Sequence, residues 1–281
     1  MYLLAPVSPV WCSKYLYQKA FGRPLDLDNP VTLNEKLMWL KLNVYGDDDL
    51  VTRCADKYAV REYVEAAGCG EILNDLYGVW ETPEQIDWEQ LPEKFILKCN
   101  HGCGYNSICT DKAKMDTADC KKKLKKWLSR DFWRFASELQ YRKIPKRIIC
   151  EKLLCEGSAP VDYKFYCFHG EPVCVLACCE REKGWPKFYF FDCDWNFMPI
   201  TKDGKKEAED FTLPKPTQFS RMVEYARKLS RPFPFVRVDL YEAEEEVVFG
   251  ELTFTPGACL DSARLPETDL MFGKMLRIDK I

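Results

Sequence analysis

Two short apolar runs constrain this chain more than any other part of it. Phe235-Val-Arg-Val-Asp239 is followed, twelve residues after its aspartate, by Glu251 within Gly250-Glu-Leu-Thr-Phe-Thr-Pro-Gly257. The β-branched and aromatic residues from Phe235 to Leu240 and from Val247 to Leu252 read as strands, separated by the acidic turn Glu242 to Glu246, and so as a hairpin. Asp239 and Glu251 then lie near each other. They would offer hard oxygen ligands to a small divalent cation such as Mg²⁺, which keeps most of its waters and borrows phosphate oxygens. Thr255-Pro256-Gly257 ends the strand and starts a turn. The alternative is an ordinary hairpin whose acids face solvent.

Upstream, Glu93-Lys-Phe-Ile-Leu-Lys98 runs into Cys99-Asn100-His101-Gly102-Cys103-Gly104-Tyr105-Asn106. This reads as a buried strand entering a glycine-containing loop. Glycines let backbone NH groups approach a phosphate, and Lys98 at the strand end adds a point charge. A plain strand and turn is the commoner origin of such a pattern, and no Gly-Lys-Ser/Thr follows to make it a Walker motif. A third stretch, Arg147-Ile-Ile-Cys-Glu151-Lys152-Leu153-Leu154, leads through a polar turn to Val161-Asp162-Tyr-Lys164-Phe-Tyr-Cys-Phe-His169-Gly170. Asp162 and Lys164 share one strand face by their spacing. For each, the alternative is a solvent-facing residue of an antiparallel strand.

In this order the three stretches resemble the ATP-grasp enzymes, among them the D-alanine:D-alanine ligases. Arg237-Val-Asp239 with Glu251-x-Thr253 is similar to that superfamily's metal-binding segment, Thr253 standing where an Asn is usual; a hydroxyl can ligate directly or through water. At finer grain the chain resembles the TupA-like amidoligases of teichuronopeptide and capsular polysaccharide synthesis. The matching words are Leu33-Asn-Glu-Lys-Leu-Met-Trp-Leu-Lys, Asp56-Lys57-Tyr-Ala-Val-Arg-Glu-Tyr-Val, Leu97-Lys98-Cys-Asn-His101-Gly, Asp162-Tyr-Lys164-Phe-Tyr-Cys-Phe-His-Gly-Glu-Pro and Phe233-Pro-Phe-Val-Arg-Val-Asp-Leu-Tyr with Phe249-Gly-Glu-Leu-Thr-Phe-Thr-Pro-Gly.

The resemblance implies an α+β ATP-grasp fold, two lobes clasping ATP behind a short, mainly helical N-terminal segment. The expected division is 1–71 for that segment, 72–150 for the first lobe and 151–281 for the second, which carries the metal-binding strands. It also implies roles. Lys98, His101, Gly102, Gly104 and Asn106 would meet the phosphates; Glu151, Lys152 and Leu154 would form the adenine hinge; Asp162 would take the ribose and Lys164 a phosphate. Asp239, Glu251 and Thr253 would hold Mg²⁺. Arg237, Lys98 and Lys164 would stabilise the reacting groups. The implied reaction joins a carboxylate to an amine through an acyl phosphate, on a uronic-acid or amino-acid carboxylate of a cell-surface polysaccharide, with either partner carried on a glycan. A kinase ending at a phosphorylated product and a non-catalytic nucleotide-binding module are the alternatives. Oligomeric state is left open.

Composition fits a globular enzyme. Hydrophobic residues make up 47% and charged residues 30% of 281, which suffices for a large core. A net charge of −3 gives no broad basic field for nucleic acid. Lys121-Lys-Lys-Leu-Lys-Lys126 is a basic helix face, usually solvated and able to meet a membrane or an anionic polymer. Fifteen cysteines are spread through apolar segments rather than clustered. They read as reduced core thiols, because Cys99, Cys103 and Cys109 with His101, or Cys174, Cys178 and Cys179, lack paired zinc spacing. The start shows no secretory pattern and no apolar stretch spans a bilayer, so the expected location is cytoplasmic.

Overall fold

The computed structural model describes residues 2–155, 160–179 and 186–278. The polar turn expected after Leu154 lies largely outside them. Four helices come first: α1 Pro9–Phe21, α2 Leu33–Asn43, α3 Asp49–Ala55 and α4 Val60–Ala66. α2 starts on a capping box in which Thr32 Oγ1 accepts from Glu35 N while Glu35 Oε2 accepts from Thr32 N at 3.0 Å. Asp56 caps the turn before the next helix, accepting from Tyr58 N and Ala59 N, and that helix begins at Val60.

Two antiparallel sheets follow. The first contains β1 Leu76–Trp80, β2 Phe95–Cys99, β3 Asn106–Cys109 and β4 Ile148–Lys152, in the order β1-β4-β2-β3. In β2, Phe95, Leu97 and Cys99 are buried while Ile96 and Lys98 between them are not. The buried face packs on α5 Thr117–Leu128 through Cys120 and Leu124. Period-2 alternation thus turns Lys98, and Glu151 of β4, to the opposite side.

The second sheet contains β5 Asp162–Phe168, β6 Glu171–Cys179, β7 Lys187–Asp192, β8 Phe197–Met198, β9 Phe235–Ala243 and β10 Glu246–Thr253, ordered β10-β9-β5-β6-β7-β8. One face carries Phe165, Val238 and Leu240 into a core with Phe219, Met222, Ala226 and Leu229 of α6 Phe219–Ser230. The same core takes in Leu33, Leu37, Tyr45, Val51, Val60 and Val64 of the leading helices. Tyr45 Oη donates to Phe235 O at 2.9 Å, and Lys36 Nζ donates to the carbonyls of Gly273 and Leu276 at the end of α7 Pro266–Met275.

The predicted hairpin is β9–β10, with a tighter connection than the expected five-residue acidic turn. Pairing continues to Ala243 and Glu246, and only Glu244 and Glu245 remain, both with positive φ. Two left-handed residues match the twist of the flanking strands, whatever their side chains.

Candidate functional site

The open faces of the two sheets meet across a cavity of about 270 Å³. Its floor is set by strand register. Lys164 of β5 stands opposite Asp239 of β9, and Asp239 opposite Glu251 of β10; Arg237 stands opposite Thr253. Residues paired across an antiparallel ladder share a face, so the register collects Asp162, Lys164, Arg237, Asp239, Glu251 and Thr253 on one side.

Glu251 reaches that side only through a bulge. Phe249 pairs with Leu240 and Glu251 with Asp239, so Gly250 is the extra residue. In an unbroken ladder Gly250 would face Asp239 and Glu251 would pair with Val238, pointing into the α6 core. A Cβ on Gly250 would lie 2.9 Å from the Asp239 carbonyl oxygen and 2.8 Å from the Tyr241 ring. Glycine is therefore required at the point where the acid is turned into the cavity.

The floor charges are tightly paired. Arg237 donates to both oxygens of Asp239, from Nε at 2.7 Å and from Nη2 at 2.6 Å, and Nη2 also reaches Thr253 Oγ1 at 3.1 Å. Thr253 Oγ1 donates to Glu251 Oε1 at 3.0 Å. Lys164 Nζ lies 2.7 Å from Asp239 Oδ2 and 2.5 Å from Asp162 Oδ2. Burial works against the charge on Lys164, but Asp239, supported by Asp162 and Glu251, outweighs it and raises its pKa. Burial, and then repulsion from Asp239, lift Asp162 above the usual carboxylate range despite Lys164. Glu251 goes the other way. Burial would raise it, and Lys57, Lys164 and Arg237 together hold it well below that range.

Above lie Lys98 and Glu151, 2.6 Å apart, with Asn106 opposite Lys98 in register. Two residues to which the sequence reading gave no role stand beside them. Lys57 Nζ is ion-paired with Glu251 Oε2, 194 positions away in the chain, and the attraction of Glu251 raises its pKa against the effect of burial. Arg61 of α4 lies 3.8 Å from Glu151. Lys57 is positioned by buried Asn100, whose Nδ2 donates to Asp56 Oδ1 at 2.8 Å and to Pro145 O, whose carbonyl accepts from Lys57 N, and whose Oδ1 accepts from Arg147 N. The local signal was the polar Asp56-Lys57 pair on a turn between helices, too common to single out.

The remaining predicted residues divide. Leu154, Gly104 and Asn106 line the cavity. His101 does not; it is buried beside Tyr105 and the backbone of Trp127 and Arg130, where burial and then Lys146 lower its pKa. Gly102 was read as letting the backbone approach a phosphate. Its missing side chain instead admits the Phe132 ring, which a Cβ would meet at 2.7 Å, and Tyr105 is also buried against Trp127 and Phe132. Only Cys103 and Gly104 stand out from the loop, and Gly104 has φ +74° with open space around it. Lys152 turns outward towards Glu244, and its NH and CO are bonded to Asp75 O and Asn74 Nδ2.

Asp239, Glu251 and Thr253 present two carboxylates and a hydroxyl on adjacent strands. This hard-oxygen set suits Mg²⁺ completed by water and phosphate rather than a closed protein cage. Among the described residues no three His, Cys, Asp or Glu side chains converge as a metal site. For the zinc alternative, Cys99 and Cys109 are buried in the first sheet's core while Cys103 is exposed at the loop tip. None of the fifteen cysteines is in a disulfide, and most are buried.

No curated protein matches the chain. Among solved structures it is similar to the D-alanine–D-alanine ligase of Bacillus anthracis complexed with ATP (13% identity, TM-score 0.47, 80% of this chain and 63% of that one). It is also similar to D-alanyl-alanine synthetase A of Vibrio cholerae O1 biovar eltor (11%, 0.44, 88% and 64%). A third is N5-carboxyaminoimidazole synthase of Aspergillus clavatus in complex with ADP and 5-aminoimidazole ribonucleotide (13%, 0.41, 72% and 44%). The chain spans less than two thirds of the length of each. The pattern of the TupA-like ATPgrasp family matches residues 35–277, from α2 through the two sheets to the end of α7, and the chain therefore belongs to the TupA-like ATP-grasp family.

Proposed function

We propose that this protein is an ADP-forming carboxylate–amine ligase. The observation that carries the reading is a charged cavity between the two sheets, in which four carboxylates, Glu151, Asp162, Asp239 and Glu251, face five cations, Lys57, Arg61, Lys98, Lys164 and Arg237. The excess of positive charge suits a polyanion, and the paired acids suit the metal that accompanies one. Leu73, Leu154 and Tyr241 at one end supply apolar walls for an adenine ring. Asp162 at the same end of the floor would accept from the ribose hydroxyls. Since the main-chain groups of Lys152 are already bonded, adenine recognition at the hinge would fall to Leu153 and Leu154. We read the first sheet with α5 and the second sheet with its helices as the two lobes, the chain passing between them after β4 ends at Lys152, two residues beyond the expected division.

Asp239, Glu251 and Thr253 would hold Mg²⁺. Once bound, that ion supplies charge neutralisation on the transferring phosphoryl group. Lys98 and Lys164 would hold phosphate oxygens, each leaving a carboxylate partner to do so, and Arg237 would orient the acceptor carboxylate or its phosphorylated form. A carboxylate oxygen attacks the γ-phosphorus and ADP leaves. The amine then attacks the acyl carbon, inorganic phosphate departs, and the nitrogen loses a proton as the amide forms. No side-chain nucleophile is required. Lys57 would pass from Glu251 to phosphate when the metal arrives. At about 270 Å³ the cavity falls just below the usual range of ligand-pocket volumes, roughly 300–1,000 Å³, so two substrates would require the sheets to part and then close.

A uronic-acid or amino-acid carboxylate on a cell-surface glycan precursor is the substrate class that family membership suggests. The test is ADP release measured over a matrix of carboxylates and amines. Release that needs both partners, with amide detected, is the expected result. ADP release with a phosphorylated product and no need for amine would replace the reading by a kinase. Nucleotide binding without turnover on any pair would replace it by a binding module.

A further inference from the structure

Leu3, Val7, Val10, Trp11, Tyr15 and Phe135 are six of the eleven large hydrophobic residues left exposed among the described residues. Scattered singly, such residues would need no account; gathered in one place, they do. α1 gathers them. Cys12, Ser13 and Tyr17 anchor the helix inward, so Val10, Trp11, Lys14, Tyr15 and Gln18 face outward at helical spacing. Leu3 and Val7 extend the row through the preceding turn, at 82% and 80% exposure, with Trp11 at 72%.

The row continues onto a second part of the molecule. Tyr2 Oη accepts from Asp131 N at 3.0 Å, and the Tyr2 ring packs on Phe135 with centroids 5.2 Å apart. The Arg134 guanidinium lies over the same ring. This segment directly follows the last turn of α5, which carries Lys125 and Lys126.

Charge says what the row fits. From Tyr2 to Leu25 the chain holds Lys14, Lys19 and Arg23 and no Asp or Glu, within a protein of net charge −3. Lys14 is exposed, and Lys19 Nζ sits 5.3 Å from the Tyr15 ring centre. Arg23 pairs with Glu35, and the nearby acid Asp131 is paired with both Lys146 and Arg134. An apolar row containing Trp and Tyr and edged by ammonium groups matches the boundary of an anionic bilayer, where rings lie at headgroup depth and lysines meet lipid phosphates. α1, at thirteen residues, is too short to cross a bilayer, and no helix among the described residues is long and apolar enough to do so. A protein partner would explain the apolar row but not the absence of acids along it.

We propose that α1 and the turn before it dock on an anionic membrane surface, the helix lying in the plane of the headgroups. This does not depend on the ligase reading. The test is co-sedimentation of the full chain with phosphatidylcholine vesicles and with phosphatidylcholine–phosphatidylglycerol vesicles. Binding to the anionic vesicles alone, weakened by salt, is expected. Trp11→Ser should weaken it by on the order of tenfold, the effect of one large apolar side chain, and Lys14→Glu with Lys19→Glu should weaken it comparably. Each variant should keep the wild-type melting curve and nucleotide binding, because these residues are exposed. Equal binding to both vesicle types, no binding to either, or undiminished binding by the variants would overturn the proposal. So would a concentration-dependent dimer abolished by Trp11→Ser, which would make the face an interface between copies.

Discussion

Replacing Lys57 with Met should push two measurable quantities in opposite directions. The Lys57 ammonium is ion-paired with Glu251, one of the proposed metal ligands, so ion and lysine would compete for one carboxylate. Repulsion between an ammonium and a divalent cation about 6 Å apart is about 1.4 kcal/mol even at the dielectric constant of water, a factor of about ten in affinity. Lys57→Met should therefore tighten Mn²⁺ binding to the nucleotide-free protein by about tenfold, read from the fraction of free Mn²⁺ in its paramagnetic resonance spectrum. With nucleotide bound, the same lysine would neutralise phosphate charge. Its loss should slow turnover by roughly a hundredfold, the usual cost of one preorganised charge-stabilising donor. The Met variant should also be less stable without ligand, by only about 1 kcal/mol, because Glu251 is a third exposed and solvent screens the pair. A purely structural lysine would lower stability without raising metal affinity. Unchanged or weaker Mn²⁺ binding, with folding intact, would refute the hand-over.

Asp239→Asn and Glu251→Gln should each lower turnover by on the order of a hundredfold or more and reduce the Mg²⁺ dependence of ATP binding, since each removes a charged oxygen ligand; near-normal rates in either variant would contradict the assignment. Gly102→Ala and Gly104→Val should both lower the melting temperature, the first because its Cβ meets Phe132 at 2.7 Å and the second because a β-branched residue is strained at φ +74°, but only Gly104→Val, at a position lining the cavity, should also slow turnover; melting temperatures and rates measured side by side separate the two. His101 makes stability pH-dependent: its folded pKa is depressed below 6.5, so the unfolded chain takes up the proton first, and stability that is full above that value falls as pH drops through it. Urea midpoints between pH 7.5 and about 5.5 should decline in the wild type and decline less in His101→Gln; equal slopes would exclude His101 as the source.

The strands of the floor were legible because period-2 alternation of β-branched and aromatic residues is a local property. Counting in twos puts Asp162 with Lys164 on one face of their strand, but that Arg237 and Asp239 share that face comes from the register of β5 on β9. Glu251 could not be placed by counting. Simple alternation says nothing about a bulge, and the available hint was a glycine inside a strand pattern at position 250. The tight turn was obscured for a similar reason, because Glu244 and Glu245 lack the Asn-Gly or Asp-Gly wording that announces two left-handed residues. Lys57 was the largest omission. Its significance lies in a contact with Glu251 at the far end of the chain, which no window of sequence contains. His101 and Gly102 were misjudged in the opposite sense: neighbours of a phosphate-type loop looked functional together, while the fold uses one to fill a core and the other to admit a ring.

Asn100 has a mechanical consequence. The helices that carry Lys57 share their core with the second sheet, yet the turn between α3 and α4 is tied by one amide side chain to the first sheet's loop and to the segment entering β4. That turn is a fastening between the two halves, far along the sequence from the covalent link after residue 152. It is not the only tie: Lys41 Nζ donates to Ala136 O, and Gln140 Nε2 donates to Thr255 Oγ1, each linking the chain that leads into β4 to the helices or to the second sheet's side. Parting the halves would have to strain or break these bonds together, so the Asn100 amide resists opening as one stitch of a seam.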